Sequence, residues 1–260
     1  MNKKVGIAGL GAIGSAVAKK LTSCEGIKGF ELKCISEPQD VTHKGIKKAS
    51  LKGLVAQSDI IIECLPANIV PQLAEEAFKE NKDIIFISSA ALLIYPQIMD
   101  NLAKSKSKAY LPSGALCGLD GVMAMKEMGI KSSKIASTKP PIGFTGAPYV
   151  IENNINLENI TSKTLIFEGN AFEAAKGFPA NINVAATLSL AGIGAENTRA
   201  EIWADPKAVG NKHEVTVKSE YSTLNASIEN MPDPANPKSS VLAAQSIVAT
   251  LRNMSNALVI

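Results

Sequence analysis

Three glycines near the start of the chain restrict its fold more than any other feature. The apolar run from Val5 to Ala8 leads directly into the pattern Gly9-x-Gly11-x-x-Gly14. In dinucleotide-binding units the first glycine permits a tight turn, the second lets backbone amides approach a pyrophosphate, and the third lets the next helix pack on the strand. The positive end of that helix also favours phosphate. The predicted cofactor contacts of this motif are Gly9, Gly11, Ala12, Ile13 and Gly14.

The segments on both sides of the glycines fit the same prediction. Residues 12–23 alternate as an amphipathic helix, and a second strand over 31–36 is followed by Glu37, 23 residues after Gly14. An acidic residue near that place accepts hydrogen bonds from the adenosine ribose. Glu37 therefore favours NAD over NADP, because a carboxylate repels a 2′-phosphate. The preference stays open, since three lysines nearby in sequence could help a phosphate: Lys44, Lys47 and Lys48.

Composition narrows the class of protein. A chain of 260 residues with 46% hydrophobic and 20% charged residues has room for two domains with real cores. The net charge of +3 is spread along the chain, so we expect no nucleic-acid partner. No apolar stretch reaches bilayer length and the apolar N-terminus reads as a strand, so we expect neither membrane partner nor signal peptide. The four cysteines lack metal-ligand spacing, which predicts reduced thiols, no metal and a cytoplasmic location.

The first 112 residues alternate between strand and helix patterns. Strands are predicted at 4–9, 31–36, 59–64, 83–88 and 107–111, and helices near 12–23, 68–80 and 95–104. This alternation predicts a Rossmann-type, doubly wound parallel sheet, because parallel strands need crossover connections. Ligands of such sheets lie beyond the carboxyl ends of the strands. We therefore expect residues 64–67, Cys64 included, and 88–90 to border the nicotinamide side of the cofactor. The alternative is that the small residues of these segments only turn the chain.

The rhythm changes after residue 112. A helix runs to Met128, and later helices are predicted at 170–176 and 181–193. Strands are predicted at 134–138, 164–168, 198–204, 213–219 and 221–229, several of them directly successive. This order predicts an α+β domain with a mainly antiparallel sheet and its helices on one face. A proline-rich link over 231–237 leads to a last helix from Ser239 to Arg252, which we expect to return to the first domain. The predicted domains are 1–112 with 238–260, and 113–237.

Only two histidines are available for acid–base chemistry. His43 lies in a polar loop and is expected to be exposed. His213 opens an alternating strand after a turn, where it could act as acid or base because its unperturbed pKa lies near neutrality. The alternative is a structural or an exposed histidine. No hydrolase triad and no HExxH metal motif appears in the sequence.

Several short segments carry more information than periodicity explains. They are Leu111–Asp120, Thr138–Pro141, Phe167–Gly169, Phe178–Ala185, Ala204–Pro206 before His213, Ile228–Asn230 and Asn236–Ser240. In this order and spacing the chain resembles the L-aspartate dehydrogenase family over essentially its whole length. The Pro-Ser-Gly-Ala segment ending at Ala115 and the Asn-Ile-Asn-Val-Ala segment starting at Asn181 are far more specific than the glycine pattern.

The resemblance implies an enzyme that oxidises L-aspartate to iminoaspartate with NAD or NADP, often in the service of NAD biosynthesis. It also implies homodimers built through the sheet of the second domain. The family's active-site histidine falls on His213, and its cofactor contacts in the second domain fall on Ala115 and Asn181. Family members often carry Asp where this chain has Ser36-Glu37, which leaves the choice between NAD and NADP in doubt.

Two carboxylates of such a substrate need cationic or amide partners. The candidates, which the sequence does not rank, are Lys139, Arg199, Lys238 and the amides around Ser113 and Gly114. For Lys139 and Arg199 the alternative is a solvated sheet edge. Two other functions also stay open. One is a related two-domain reductase of a semialdehyde, imine or cyclic imine, and the other is a non-catalytic dinucleotide-binding sensor.

Overall fold

The structure is a computed structural model that describes residues 2–39, 43, 45–233 and 236–259, with the backbone alone at 232–233 and 236–239. The chain divides into two compact units. The first comprises Met1–Gly114 together with Val241–Ile260, and the second comprises Ala115–Ser240. The functional division, with 113–237 as a domain for substrate binding and dimerisation, remains a prediction.

The first unit is built on a six-stranded parallel sheet. Its strands are β1 (Lys3–Ala8), β2 (Phe30–Ser36), β3 (Lys47–Lys48), β4 (Ile60–Glu63), β5 (Asp83–Phe86) and β6 (Ala109–Tyr110). The order across the sheet is β3-β2-β1-β4-β5-β6, with every neighbouring pair parallel. The direction of winding reverses between β1 and β4, which is where doubly wound sheets bind their ligands. The predicted Rossmann-type sheet is confirmed.

In the described residues of the first part of the chain, five α-helices follow these strands. They are α1 (Ala12–Leu21), α2 (Leu51–Gln57), α3 (Val70–Lys79), α4 (Ala90–Ile94) and α5 (Gln97–Ala103). Helices α2 and α4 and strand β3 were not predicted from the sequence. All three are short, and short segments carry little periodicity.

Among its described residues, the second unit contains a five-stranded sheet and four α-helices. In chain order its elements are α6 (Leu119–Glu127), β7 (Ile130–Lys139), a 3₁₀ turn (Pro141–Phe144), α7 (Pro148–Glu152), a second 3₁₀ turn (Leu157–Asn159), β8 (Thr164–Asn170), α8 (Ala171–Gly177), α9 (Asn183–Ala191), β9 (Thr198–Ala204), β10 (Asn211–Ser219) and β11 (Thr223–Asn230). A two-stranded ribbon follows, β12 (Pro232–Asp233) with β13 (Asn236–Ser240). The large sheet has the order β11-β10-β7-β9-β8. Its pairs are antiparallel except β7 with β9, which are parallel, so the sheet is mainly antiparallel as predicted.

The two faces of this sheet differ in what they bury. Ile135, Ile202 and Val215 face the helices α6 and α9 and are almost fully buried. Successive residues of a strand point to opposite faces, so the residues between them line the other face. That face carries ion pairs such as Lys134 with Glu201. Because residues paired across strands share a face, the register decides which polar side chains lie beneath the helices.

The last helix, α10 (Val241–Ser255), belongs to the first unit. It contacts α1, and Ile247 and Leu251 share an apolar core with Val5 and Val17. None of the helices within the described part of the chain combines the length and apolarity needed to span a bilayer.

Candidate active site

The glycine turn after β1 is closed by direct backbone packing. Gly9 has a φ of +92°, and a Cβ added there would lie 2.2 Å from the carbonyl oxygen of Cys64. A Cβ added at Gly14 would lie 2.0 Å from the carbonyl oxygen of Gly9. The fold itself therefore requires glycine at both positions.

Gly11 differs from its two neighbours in the motif. Its φ of −62° and ψ of −168° suit any residue, and an added Cβ meets no heavy atom within 4 Å. The protein alone does not need glycine here, whereas a ligand resting on the backbone would. Gly11 is also the N-cap of α1, whose first amides have no side-chain cap and so stay available to an anion. These residues fit the pyrophosphate of a dinucleotide.

Glu37 is held beside the glycine turn. Its Oε2 accepts from the Leu10 amide at 2.8 Å, and its Oε1 accepts from the Gln39 amide at 3.0 Å. Each carboxylate oxygen keeps a further lone pair that a ribose hydroxyl could use. Lys48 donates to the Gln39 carbonyl oxygen at 2.6 Å, so one cation does lie in this loop. Lys47 is exposed on β3, and Lys44 lies outside the described residues.

The ends of β4 and β5 supply the other border of this region. The Cys64 amide donates to the Ala8 carbonyl oxygen at 2.8 Å. Desolvation and the nearby Glu63 carboxylate raise the pKa of the Cys64 thiol well above its usual range, so this cysteine is protonated and no nucleophile. Glu63, a fully buried carboxylate at the end of β4, was not among the residues predicted from the sequence. An acidic residue that closes the apolar run Ile60–Ile62 is the signal that would have found it.

His213 lies on the helix-covered face of the second unit's sheet. It pairs with Ser137 across β10 and β7, and its Nδ1 lies 2.9 Å from the Ser137 hydroxyl oxygen. The residue is 2% exposed. Burial, together with the charge of Lys139, lowers the pKa of His213 from 6.5 to about 3. The imidazole is therefore neutral near pH 7 and able to accept a proton.

Lys139 and Asn181 complete a cluster with His213. Lys139 follows Ser137 by two residues on β7 and shares its face, and its Nζ donates to Asn181 Oδ1 at 2.9 Å. Loss of water around the ammonium lowers the pKa of Lys139 to about 8. Asn181 lies just before α9, whose N-terminal end favours negative charge. A cation, a helix start and a neutral imidazole together suit an anionic substrate that must lose a proton.

Two of the predicted substrate-binding groups already have other partners. Arg199 is on the opposite face of the sheet, where it is ion-paired with Glu168 and with Glu201, so its predicted role in substrate binding is not supported. The Gly114 amide donates to the Ser246 hydroxyl at 3.1 Å within the first unit, so it is already engaged.

The remaining predicted positions have plainer surroundings. Ser113 and Ala115 are half-buried, and the side chain of Lys238 lies outside the described residues. His43 is half-buried, not exposed as predicted, because its Nε2 lies 2.8 Å from the Thr22 hydroxyl oxygen. Within the described ranges, no three His, Cys, Asp or Glu side chains are grouped so that they could hold a metal ion.

Comparison with known proteins agrees with both halves of this description. The sequence model of the family described as "Aspartate dehydrogenase, C-terminal" matches residues 120–254, and that of "Homoserine dehydrogenase, NAD binding domain" matches residues 9–112. L-aspartate dehydrogenase 3 of Bordetella bronchiseptica is 42% identical, covering 96% of this chain and 94% of that protein. L-aspartate dehydrogenase of Methanosarcina acetivorans is 40% identical, covering 97% of each.

Solved structures extend the likeness to three dimensions. The crystal structure of aspartate dehydrogenase from Thermotoga maritima matches with a TM-score of 0.79 at 26% identity, covering 100% of both chains. A hyperthermophilic archaeal homoserine dehydrogenase in complex with NADPH matches with a TM-score of 0.59 at 12% identity, covering 98% of both. The second likeness shows the fold alone.

Proposed function

Since this chain belongs to the L-aspartate dehydrogenase family, we propose that it oxidises L-aspartate to iminoaspartate with a nicotinamide dinucleotide. The family and the NAD-binding domain make it an oxidoreductase with such a cofactor. The proposal that L-aspartate is the substrate rests on the buried, neutral imidazole of His213 beside the hydrogen-bonded pair of Lys139 and Asn181.

His213 takes the role of acid and base. The amine of free aspartate is an ammonium near neutral pH, and a protonated nitrogen cannot help expel a hydride from Cα. In the tautomer with hydrogen on Nδ1, the Ser137 hydroxyl accepts that hydrogen and Nε2 keeps its lone pair. Nε2 then removes one proton from the substrate ammonium. When bound, the nicotinamide of the cofactor supplies the acceptor for the hydride, and iminoaspartate is released to be hydrolysed to oxaloacetate and ammonia.

Substrate charge tunes this base. A pKa of about 3 suits a neutral imidazole but a weak proton acceptor. Two carboxylates of aspartate beside His213 favour the imidazolium and neutralise the repulsion from Lys139, so they raise the pKa of His213 toward the working range. Lys139 binds one carboxylate as a charge-assisted hydrogen-bond donor. Binding of the dicarboxylate thus makes His213 basic enough to accept the proton that must leave the substrate before its oxidation.

We also propose that the chain prefers NAD and forms a homodimer. Glu37 beside the glycine turn supports NAD over NADP, because a 2′-phosphate would meet its carboxylate. The resemblance supports a homodimer through the second sheet and a supply of iminoaspartate to NAD biosynthesis. The four cysteines without metal-ligand spacing support reduced thiols and a cytoplasmic location.

A screen of the purified chain against common L- and D-amino acids, with NAD and with NADP, tests the substrate and cofactor together. We expect L-aspartate with NAD to be by far the best pair. Glutamate should be poor, because one added methylene misplaces Cα once both carboxylates are bound. Comparable kcat/KM with glutamate, alanine or D-aspartate would overturn the substrate. Cofactor binding without any turnover would favour the sensor, and turnover of a semialdehyde or cyclic imine alone would favour the other reductase.

A further inference from the structure

Glu63 is a buried carboxylate that the proton chemistry above does not use. It is fully buried at the carboxyl end of β4. Burial raises the pKa of its carboxyl, and hydrogen bonds from the amides of Leu65 and Ser88 oppose that rise. A buried carboxylate destabilises a fold unless its oxygens accept hydrogen bonds, so the groups that donate to Glu63 indicate its role.

The partners of Glu63 belong to two different loops. Oε1 accepts from the Leu65 amide at 2.6 Å, in the loop after β4. Oε2 accepts from the Ser88 amide at 3.0 Å, in the loop after β5. The Ser88 hydroxyl in turn donates to the Leu65 carbonyl oxygen at 2.8 Å. Three hydrogen bonds therefore tie the two loops together, and one buried side chain makes two of them.

The position of these two loops relative to the glycine turn indicates which part of the cofactor they meet. Strand β4 lies next to β1 on the side away from β2 and Glu37, which mark the adenosine side. The carbonyl of Cys64 packs directly against Gly9 of the turn that fits the pyrophosphate. The loops after β4 and β5 thus continue from the pyrophosphate away from the adenosine. We infer that Glu63 is a positioning residue, which holds these two loops in the shape that receives the nicotinamide half of the cofactor.

The variant Glu63→Gln tests this inference by ligand binding, independently of which amino acid is oxidised. The amide of glutamine offers one acceptor and one donor, so its NH₂ would meet a backbone N–H where the carboxylate accepted. We expect the Kd for NADH to rise on the order of tenfold. A change of this size corresponds to the free energy of one lost charge-assisted hydrogen bond. The Kd for ADP-ribose, which keeps both riboses and the pyrophosphate and lacks only the nicotinamide ring, should stay within about twofold, because we expect most of its contacts at α1 and Glu37. Fluorescence titration and calorimetry measure the two values.

Controls separate positioning from general stability. Ile61→Val removes a buried methylene from the same strand; it should lower Tm and leave both Kd values unchanged. Ser88→Ala removes the hydroxyl and keeps both backbone amides that donate to Glu63, so it should weaken NADH binding but not ADP-ribose binding, by less than the Glu63 variant. This second variant carries the test if Glu63→Gln fails to fold. Equal loss for NADH and ADP-ribose, or no loss for either, overturns the inference.

Discussion

His213 and Lys139 set the proton balance of the second unit at the scale of single residues. The folded chain lowers the pKa of His213 from 6.5 to about 3, so between these values the unfolded chain binds a proton that the folded chain does not. The free energy of unfolding therefore decreases as the pH falls from 6.5 to about 3. We expect His213→Asn to lose less stability than the wild type between pH 6.5 and 3. Urea unfolding across that range measures the difference, and parallel curves would show that His213 titrates normally.

The same residue gives the sharpest kinetic prediction. Replacing His213 by Asn keeps polarity but removes the proton acceptor, so kcat should fall roughly a hundredfold or more. NADH affinity should hardly change, because the glycine turn belongs to the first unit. Arg199→Ala is the matched control: its charge pairs with Glu168 and Glu201 on the other face, and kcat should stay within about twofold. Full kcat with reduced Tm in the His213 variant would return this histidine to a structural role.

Lys139 predicts a pH dependence of substrate binding. With a pKa of about 8 in the free protein, Lys139 is charged below that pH and increasingly neutral above it. The KM for aspartate should therefore rise as the pH passes above about 8. Lys139→Arg keeps its charge at all these values and should flatten that rise, whereas Lys139→Met should raise KM about tenfold or more throughout. Identical pH profiles for wild type and Lys139→Arg would mean that Lys139 does not meet the substrate.

At the scale of elements, the glycine turn contains one glycine that the fold requires, Gly14, and one that only a bound ligand requires, Gly11. Gly14→Ala places a Cβ 2.0 Å from the Gly9 carbonyl oxygen, so it should lower Tm markedly. Gly11→Ala meets no protein atom within 4 Å and should keep the Tm, yet its methyl group lies where the pyrophosphate approaches. We expect a rise of about tenfold or more in the Kd for NADH from Gly11→Ala. Thermal unfolding with and without NADH distinguishes the two variants, and unchanged affinity for Gly11→Ala would move the cofactor off this turn.

Elements also differ in how far their own residues specify them. The alternation of residues in β1, α1 and β2 is a local property, so these elements could be predicted from the sequence. Helix α2 was missed although Ser50, which accepts from the Gly53 amide at 3.1 Å, is an N-cap signal that could have been used. Strand β3 has only two residues, and it exists because the edge of β2 offers them hydrogen bonds.

At the scale of the whole molecule, the face of the second sheet opposite α6 and α9 should meet a second copy of the chain. Leu165, which is 36% exposed, lies there directly opposite Trp203 among the charged pairs. We expect the wild type to sediment as a dimer and Leu165→Glu to shift it toward monomer, because a charge would be buried in the interface. Tyr221→Ser, at an exposed hairpin end, is the control and should remain dimeric. A monomeric wild type would contradict the proposed assembly.

The sequence by itself determined the parts of this protein that depend on neighbours along the chain. The glycine spacing, the buried strand before it and the alternation of strands with helices specify the nucleotide-binding unit, because the period of a strand or helix is a local property. Tertiary structure decided which polar side chains share a site. Lys139 and Arg199 were equal candidates until the register of β7, β9 and β10 put Lys139 on the face of His213 and Arg199 on the other. The tie made by Glu63 joins residues 25 positions apart, and pairings over such separations depend on how the folded strands align.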